Sequence, residues 1–528
     1  MSRTMRGPSL ELANANHEGQ TRISRTVLTE EHIPYLKGYW VFFAGFGLGL
    51  ALFLTSAEIT IVSTALATIS NDLSGSKQSS WVINAYLLSY TGIMSPIPIH
   101  ALPANQKPRL SRYVGQIIVC RAFQGVGGSG VFSLTLYGLL RIVPPEKYDA
   151  VSAAGSTIIA LGLILGPLMG GALTVSRAWR WIFLFNLPCG ALSWGILCIV
   201  IPRYFPYGHR EDNSASCTSF RRTLRELAIQ SDPLGMLLLL AASLLLVAAL
   251  LEGNVAYEWS SALIISFFTV SGVLWIFLAL WEWYLGLQQG AWPMLPWRTL
   301  NSRAWMGVLL GFFLTGPAIT IVYIEIPQRF QTVYGKSPLE AGVMLLAYAI
   351  ASPLGGILAS ICTGRWHIAF VYLLLLGAIL QTVGSFLLSA IPTSTAIYPG
   401  QFGYMAIAGL GSGLSMASLY MLTPLVVRKE DQAVAIGASL QIRMLGAALG
   451  IAVVNSVLTS YVKAHIPYVG FPFSTQSIEG LPLEAQRQVR TIYAAGYNLQ
   501  MKTVGAFSAT QVLSAALLWK REQIRFIK

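Results

Sequence analysis

Three charged side chains stand inside long apolar runs of this sequence and could move protons or ions. They are Glu58, Arg121 and Arg443. An ionisable residue at membrane depth is costly, so it is by default a candidate for a functional role. Glu58 can act as a proton carrier or as a cation-binding carboxylate, or it can be a structural carboxylate held by a neighbouring helix. The residue types alone leave these roles open.

Arg121 is the expected partner of Glu58 across two helices, because a lone buried charge is unfavourable. The alternative is that its long side chain reaches the membrane interface. Gln124 is expected to be a polar neighbour of Arg121. A further acid, Glu325, lies just before Pro327 near the end of its apolar run, and we expect it at the interface.

No catalytic or cofactor constellation accompanies these residues. The phosphate-loop pattern Gly-x-x-x-x-Gly-Lys-Ser/Thr does not occur, so the sequence offers no loop for ATP. The six histidines have no His-x-x-x-His spacing, and the five cysteines form no paired spacing that would indicate a metal site or a disulfide framework. The sequence predicts neither an enzyme nor a bound cofactor or metal.

The composition is that of a chain made largely of membrane spans. It is 54% hydrophobic and 11% charged, with a mean hydropathy of +0.59, whereas soluble domains carry about 25% charged residues. Runs such as 234–251 and 370–388 approach the ~20 apolar residues that cross a bilayer. We therefore predict an all-α polytopic membrane protein with 13 readable spans. They lie near 39–62, 82–103, 114–140, 151–173, 181–201, 234–251, 261–284, 304–327, 340–362, 368–390, 401–426, 432–459 and 503–519.

The basic residues indicate that one crossing is missing from this count. Cytoplasmic loops are rich in Lys and Arg, and the polar first 36 residues lack a signal peptide's apolar core, which keeps the amino end inside. Thirteen crossings then divide the basic residues almost evenly between the two sides. One extra crossing between residues 103 and 114 gathers most of them inside; omitting 82–103 does so less cleanly. The net charge of +13 thus reflects basic residues in the loops expected on the cytoplasmic side and does not indicate a nucleic-acid site.

The same reasoning gives an expected domain organisation. It consists of a cytosolic tail (1–37), an amino-terminal bundle (38–201) with a degenerate or missing third span near 96–115, a cytosolic basic linker (202–233), two extra spans (234–284), a carboxy-terminal bundle (285–519) with an outer loop (460–502), and a cytosolic tail (520–528).

Two spans carry closely spaced glycines, in "RAFQGVGGSG" and "GLILGPLMGG". Small residues one helical turn apart let membrane helices approach closely, so packing is the first interpretation of this pattern. Pro167 stands between glycines and is a plausible bending point. The packing or gating candidates are Gly125, Gly127, Gly128, Gly162, Gly166, Pro167, Gly170 and Gly171.

The order of these motifs resembles the major facilitator superfamily, specifically its 14-span fungal drug:proton antiporters of the toxin and multidrug efflux type. The resemblance rests on "EITIVSTALATISNDL", "WVINAYLLS", the two glycine motifs, "WRWIFLFNLPCG", "GKSPLEAGVMLL", "TGRWHIAF" and "DQAVAIGASLQIRMLGAALGIAV", and it runs from about Gly38 to Trp519.

This resemblance implies a fold of two helical bundles and proton antiport of a small amphipathic compound. Glu58 stands where the family usually has Asp, and Arg121 matches an arginine thought to assist proton coupling. Arg443 matches an arginine of the thirteenth span and is expected to face the bundle interior, with Gln441 close by. The expected partners are the organic substrate, protons and the lipid bilayer, with no nucleic acid, and the expected functional unit is a monomer.

One stretch departs from the family. Between its second and third spans the family carries a gating loop with Gly, Asp and basic residues, followed by a full third span. Here "PIPIHALPANQKPRLSRYVG" (96–115) has no Asp, and only Lys107, Arg109 and Arg112 keep the basic character. We expect the gating motif and the third span to be lost.

The expected function is export of a fungal secondary metabolite, toxin or drug across the plasma membrane, with the vacuolar membrane as an alternative. The other readings are an uptake carrier of the same superfamily, for siderophores for example, and a non-transporting sensor or inactive remnant. A drug site needs an apolar cavity with a few polar groups. Aromatic residues that could line it, or simply pack in the membrane core, are Phe312, Tyr323, Tyr348, Tyr404 and Tyr420.

Overall fold

The computed structural model of this chain is built from α-helices. It describes residues 38–73, 79–92, 114–143, 148–176, 178–201, 232–253, 256–287, 302–428, 432–466, 481–520 and 523. The helices of this part are α1 (Tyr39–Asp72), α2 (Ser79–Gly92), α3 (Val114–Arg141), α4 (Tyr148–Val175), α5 (Trp181–Leu184), α6 (Asn186–Val200), α7 (Pro233–Glu252), α8 (Ala262–Leu287), α9 (Arg303–Thr332), α10 (Pro338–Met344), α11 (Leu346–Gly364), α12 (Phe370–Ser389), α13 (Gly400–Val426), α14 (Gln432–His465) and α15 (Leu483–Leu518).

A single residue, Phe185, separates α5 from α6, and Leu345 separates α10 from α11. If each of these pairs is counted as one interrupted helix, the described part has 13 helical segments. Eleven of these segments are long and apolar enough to cross a membrane. The other two are α2, which has only 14 residues, and α15, which begins with a polar segment. The all-α architecture expected from the sequence is confirmed.

Two boundaries differ from the sequence-based expectation. The span expected at 82–103 is described only as far as Gly92, and most of the 96–115 stretch lies outside the described residues. The stretch expected as an outer loop at 460–502 is largely helical where it is described, since α14 continues to His465 and α15 begins at Leu483. The first turns of α15 carry Glu484, Arg487 and Arg490, which are good helix formers but give no hydropathy signal.

Glycines place α4 directly on α1, and the two helices run parallel. A Cβ atom on any of three α4 glycines would meet the α1 backbone at 3.0 Å or less, so only glycine allows this approach. The neighbours advance together by four residues, which is one helical turn on each side. The pairs are Gly162 with Phe53, Gly166 with Ala57, and Gly170 with Ile61.

Helices α2 and α3 also run parallel, although they follow each other in the chain. Their contacts advance in the same direction: Val82 with Arg121, Tyr86 with Gly125, and Tyr90 with Gly128. This register sets Gly92 roughly 25 Å from Val114 along the helix axes, at 1.5 Å per residue. The two helices therefore run in the same direction, and residues 93–113, which connect them, lie outside the described residues.

The second half of the chain also contains a pair of parallel helices, and there the structure describes the antiparallel helix that connects them. Helices α11 and α13 run parallel, with Tyr348 beside Gly409 and Ser352 beside Gly413. Between them in the chain, α12 runs in the opposite direction and packs on α13. Likewise α9 and α14 are parallel, as α1 and α4 are in the first half. The two halves thus repeat one arrangement of helices.

The two halves contact each other closely at one side of the membrane. The sequence predicts that the amino end and the 202–233 linker lie inside, so the side at which α1, α4 and α9 end is called the outer side. A Cβ atom on Gly171 would lie 2.6 Å from Cα of Leu339, and one on Gly342 would lie 2.7 Å from the Pro167 carbonyl oxygen. Gln331 Nε2 also donates to the Thr64 carbonyl at 3.2 Å. The outer side is closed in this conformation.

Candidate functional site

Glu58 lies in the middle of the first half, where three helices meet. Glu58 is 4% exposed, although it belongs to the apolar helix α1. Oε1 pairs with Nη1 of Arg121 on α3, and Oε2 accepts a hydrogen bond from Nδ2 of Asn186 on α6. Both carboxylate oxygens therefore have a donor from a different helix, which is the condition for keeping a charge in a buried position.

Arg121 is held by still more contacts. Nη1 also donates to Gln124 Oε1 at 3.1 Å, and Nε donates to the Val82 carbonyl oxygen on α2 at 3.2 Å. The guanidinium carbon lies 4.4 Å from the centroid of the Tyr86 ring, within the range of a cation–π contact. The structure thus brings together Glu58, Arg121 and Gln124, the three residues that the sequence singled out for proton coupling.

Two glycines of α3 make room for this cluster. A Cβ atom on Gly125 would collide with the Tyr86 carbonyl oxygen, and one on Gly128 would lie 2.8 Å from the Tyr86 hydroxyl oxygen. Gly127, which the sequence grouped with them, has no neighbour within 4 Å of a Cβ position. Only the face of α3 that carries Gly125 and Gly128 is used for close packing, and Gly127 is not a packing residue in the described structure.

Asn186 is a member of the cluster that sequence reasoning did not single out. It is the first residue of α6, immediately after the break at Phe185. The preceding segment is anchored by Trp179, which is 1% exposed and whose Nε1 donates to Oδ2 of Asp72 at 2.7 Å. The motif "WRWIFLFNLPCG" contained the signal, since it places a polar amide inside an apolar run.

A second polar centre lies between the halves, around Arg443 on α14. Its side chain is buried beside Tyr86 and Tyr90 of α2 and Tyr420 of α13. Nη2 contacts Sδ of Met444 at 3.7 Å, and Nε has no hydrogen-bond partner among the described residues. Gln441 is 3% exposed, and its Nε2 is likewise unpartnered there. This centre can offer hydrogen-bond donors and aromatic surface to a ligand between the two halves.

The aromatic candidates fall into three places. Phe312 packs edge-on against Tyr420 with ring centroids 5.0 Å apart, next to Arg443. Tyr323 and Tyr348 pair at 5.1 Å nearer the outer side, and neither hydroxyl has a partner in the described part of the chain. Tyr404 packs with Tyr398 at 6.1 Å near the start of α13 and does not join the others.

Glu325 and Arg329 are two buried charged residues near the end of α9. Glu325, which was expected at the interface, is 1% exposed, and Arg329, one turn further along α9, is 2% exposed. Neither carboxylate oxygen and none of the three guanidinium nitrogens has a hydrogen-bond partner within the described residues. Hydropathy located the end of the run but not the helix face, and this face packs on α15 rather than toward lipid or water.

Comparisons with known proteins bear on this arrangement. The family model described as Major Facilitator Superfamily matches residues 108–451. The "MFS-type transporter FPY5" of Fusarium mangiferae is 37% identical over 500 residues, covering 90% of this chain and 83% of that protein. The "Efflux pump aunC" of Aspergillus niger is 30% identical over 457 residues, and the match covers 83% of this chain and 77% of that protein.

Among solved structures, an auto-inhibited POT family peptide transporter superposes with a TM-score of 0.58. It is 14% identical in sequence, and the match covers 92% of this chain and 98% of that one. At this identity the likeness concerns the fold.

Proposed function

Because the chain belongs to the major facilitator superfamily and is a multi-pass membrane transporter of that kind, we propose that it exports small amphipathic compounds by proton antiport. The observation that carries the proposal is the buried pair of Glu58 and Arg121. An acid at membrane depth that shares its charge with one arginine can exchange a proton when the helices around it rearrange. The relative named as an efflux pump supports the outward direction.

The closed outer side supports alternating access as the mechanism. In this scheme the two bundles rock about a site near the middle of the membrane. The inter-half contacts at Gly171, Gly342 and Gln331 hold one of the two end states. Opening these contacts while closing the inner side exposes the same centre to the opposite face of the membrane.

The substrate is held between the halves near Arg443. This centre combines buried aromatic rings with a few unpartnered polar groups, the combination that binds amphipathic organic molecules. Natural cargo of this kind includes a fungal secondary metabolite or toxin, and the drug-like probes used in transport assays share its chemistry. The transporter acts as a monomer in the plasma membrane.

The test is transport by the purified protein in proteoliposomes. Ethidium and rhodamine 6G serve as amphipathic probes, and a pH gradient is imposed across the vesicle membrane. We expect probe movement against its gradient, coupled to proton flow in the opposite direction. Glu58→Gln removes the exchangeable proton while keeping the shape, and should abolish the response to the pH gradient.

The control is Glu258→Gln, which changes an exposed acid between α7 and α8. This variant should transport like the wild type. Probe movement in the same direction as the protons would favour an uptake carrier. No movement of any probe by a folded wild-type protein would favour the non-transporting reading.

A further inference from the structure

The buried acid Glu325 and the buried base Arg329 need an explanation, because the cluster around Glu58 does not include them. They are one turn apart on α9, a spacing at which opposite charges commonly pair. Here they are not paired, and the described residues offer neither of them a hydrogen bond. An arginine side chain cannot lose its proton in a protein. The glutamate is therefore the member of the pair that can become neutral.

The surroundings of Glu325 favour the neutral form. From α15, the groups beside it are Gln500 and Tyr497. Gln500 Nε2 donates one hydrogen to the Val454 carbonyl of α14 at 3.0 Å, and neither carboxylate oxygen of Glu325 has a hydrogen-bond partner within the described residues. An ionised carboxylate is poorly tolerated in a buried place without donors. This conformation consequently suits Glu325 with a proton bound.

The remaining titratable and charged groups around this site are few. Tyr497 lies beside both Glu325 and Arg329, and Tyr493 stands next to it on the same helix. Tyr323, on α9 itself, faces Tyr348 of α11. From α1, the Thr64 carbonyl accepts a hydrogen bond from Gln331, two residues beyond Arg329. Within the described elements packed on this part of α9, no second carboxylate competes with Glu325 for Arg329.

The position of the pair links it to the closure of the outer side. Gln331, two residues beyond Arg329, makes the hydrogen bond to α1 that joins the halves. Pro327 lies between Glu325 and Gln331 and lacks the N–H that would bond to the Tyr323 carbonyl, so α9 can bend there. A change that moves Glu325 relative to Arg329 therefore acts on the segment that closes the outer side.

We propose that Glu325 is a second proton-binding site, separate from Glu58, and that its proton is bound when the outer side is closed. Losing this proton leaves a buried anion without donors. Opening the outer side then lets the anion pair with Arg329 or reach water. Because the proton is bound more tightly in the closed state, proton binding favours closure by the same factor. The inference rests on the proposed proton antiport only for its physiological role.

The experiment measures the outer side directly and does not require transport. Spin labels are attached at Ala172, near the outer end of α4, and at Lys336, in the connection between α9 and α10. The protein background lacks reactive native cysteines. Electron paramagnetic resonance then measures the distance between the two labels. We expect the labels to move apart as the pH is raised. Glu325→Gln, which mimics the protonated acid, should keep them together at every pH. Glu258→Gln, at an exposed acid between α7 and α8, should retain the opening with pH.

Two outcomes overturn the inference: a folded wild-type protein whose label separation does not change with pH, or Glu325→Gln opening with pH as the wild type does. Thermal unfolding in detergent checks that each variant is folded, and Glu325→Asp, which retains a titratable acid, should restore the response if Gln removes it. A Glu325-dependent opening without any probe transport would support this inference while contradicting the proposed function. Transport that needs Glu58 but ignores Glu325 would do the reverse.

Discussion

The Val82 carbonyl of α2 accepts a 3.2 Å hydrogen bond from Nε of Arg121 on α3, so the backbone of one helix fixes the guanidinium that pairs with Glu58 of another. The Tyr86 ring, one turn after Val82, covers the same guanidinium. Arg121 is therefore oriented by α2 as well as by its ionic partner. Any movement of α2 relative to α1 changes the environment of Glu58.

The ring of Tyr86, rather than its hydroxyl, should support Arg121. The hydroxyl has no partner among the described residues, so Tyr86→Phe should change little. Tyr86→Ala removes the cation–π contact and leaves a cavity, and should lower the unfolding free energy by about 3–5 kcal/mol. Thermal unfolding in detergent compares the two. Equal loss in both variants would mean that the hydroxyl carries the effect.

Close packing of α4 on α1 should be sensitive to a single methyl group. Gly166→Ala forces a Cβ atom toward the Ala57 carbonyl at 3.0 Å and against the Thr60 side chain, with an expected cost of about 1–3 kcal/mol. Gly127→Ala is the matched control, because nothing lies within 4 Å of its Cβ position. Folded yield after purification and apparent melting temperature measure the difference. A Gly166→Ala protein as stable as the control would contradict the packing argument.

Asn186 should matter for function because it serves one oxygen of Glu58. Asn186→Ala leaves Oε2 without its donor, and a hydrogen bond to a charged group is worth about 1.5–3 kcal/mol. Transport driven by a pH gradient should fall at least tenfold. The control is Asn84→Ala, whose amide donates to Ser80 of its own helix at 3.1 Å. Similar transport loss in both variants would point to general destabilisation instead.

The hydrogen bond from Gln331 to α1 should favour the outward-closed state. Gln331→Ala removes a bond worth about 1 kcal/mol, which shifts the balance of closed and open states about fivefold toward open. The spin-label separation at Ala172 and Lys336 reads the shift. Gln328→Ala, at a partly exposed position three residues earlier, should leave the separation unchanged.

The parallel register of α2 and α3 fixes the side of the membrane at which α3 begins. Gly115 is exposed and should lie at the outer side, whereas Gly364, at the end of α11, should lie inside. In intact cells, Gly115→Cys should react with a membrane-impermeant maleimide, and Gly364→Cys should react only after the cells are made permeable. An unreactive Gly115→Cys in intact cells would show that α3 begins inside.

Hydropathy predicted most of the helices, because a bilayer leaves few alternatives to a helix for an apolar run of this length. It missed the first half of α15, where charged residues form a helix that hydropathy does not detect. The glycine spacing also predicted a packing role for Gly127, which has no close neighbour, because a spacing pattern does not tell which face of α3 meets α2.

The ion pair of the site could be predicted from the sequence. Glu58 and Arg121 could be paired, because each buried charge needs an opposite one. The contact of Asn186 with Glu58 could not be predicted, because a side-chain amide can find hydrogen-bond partners in many different places. Glu325 could not either: the sequence gives the depth of a residue along a helix, but its burial depends on which neighbour covers that face, here α15.

The glycine contacts between α1 and α4 join the two helices backbone to backbone. Because no side chain lies between them that could change its rotamer, we expect the two helices to move as one rigid pair. Glu58 lies at one point of this rigid pair, and Gly171, roughly 6 Å further along α4 at 1.5 Å per residue, lies against Leu339. We expect a displacement at the carboxylate to reach the contact between Gly171 and Leu339 as a rigid-body movement, with no change of rotamers in between.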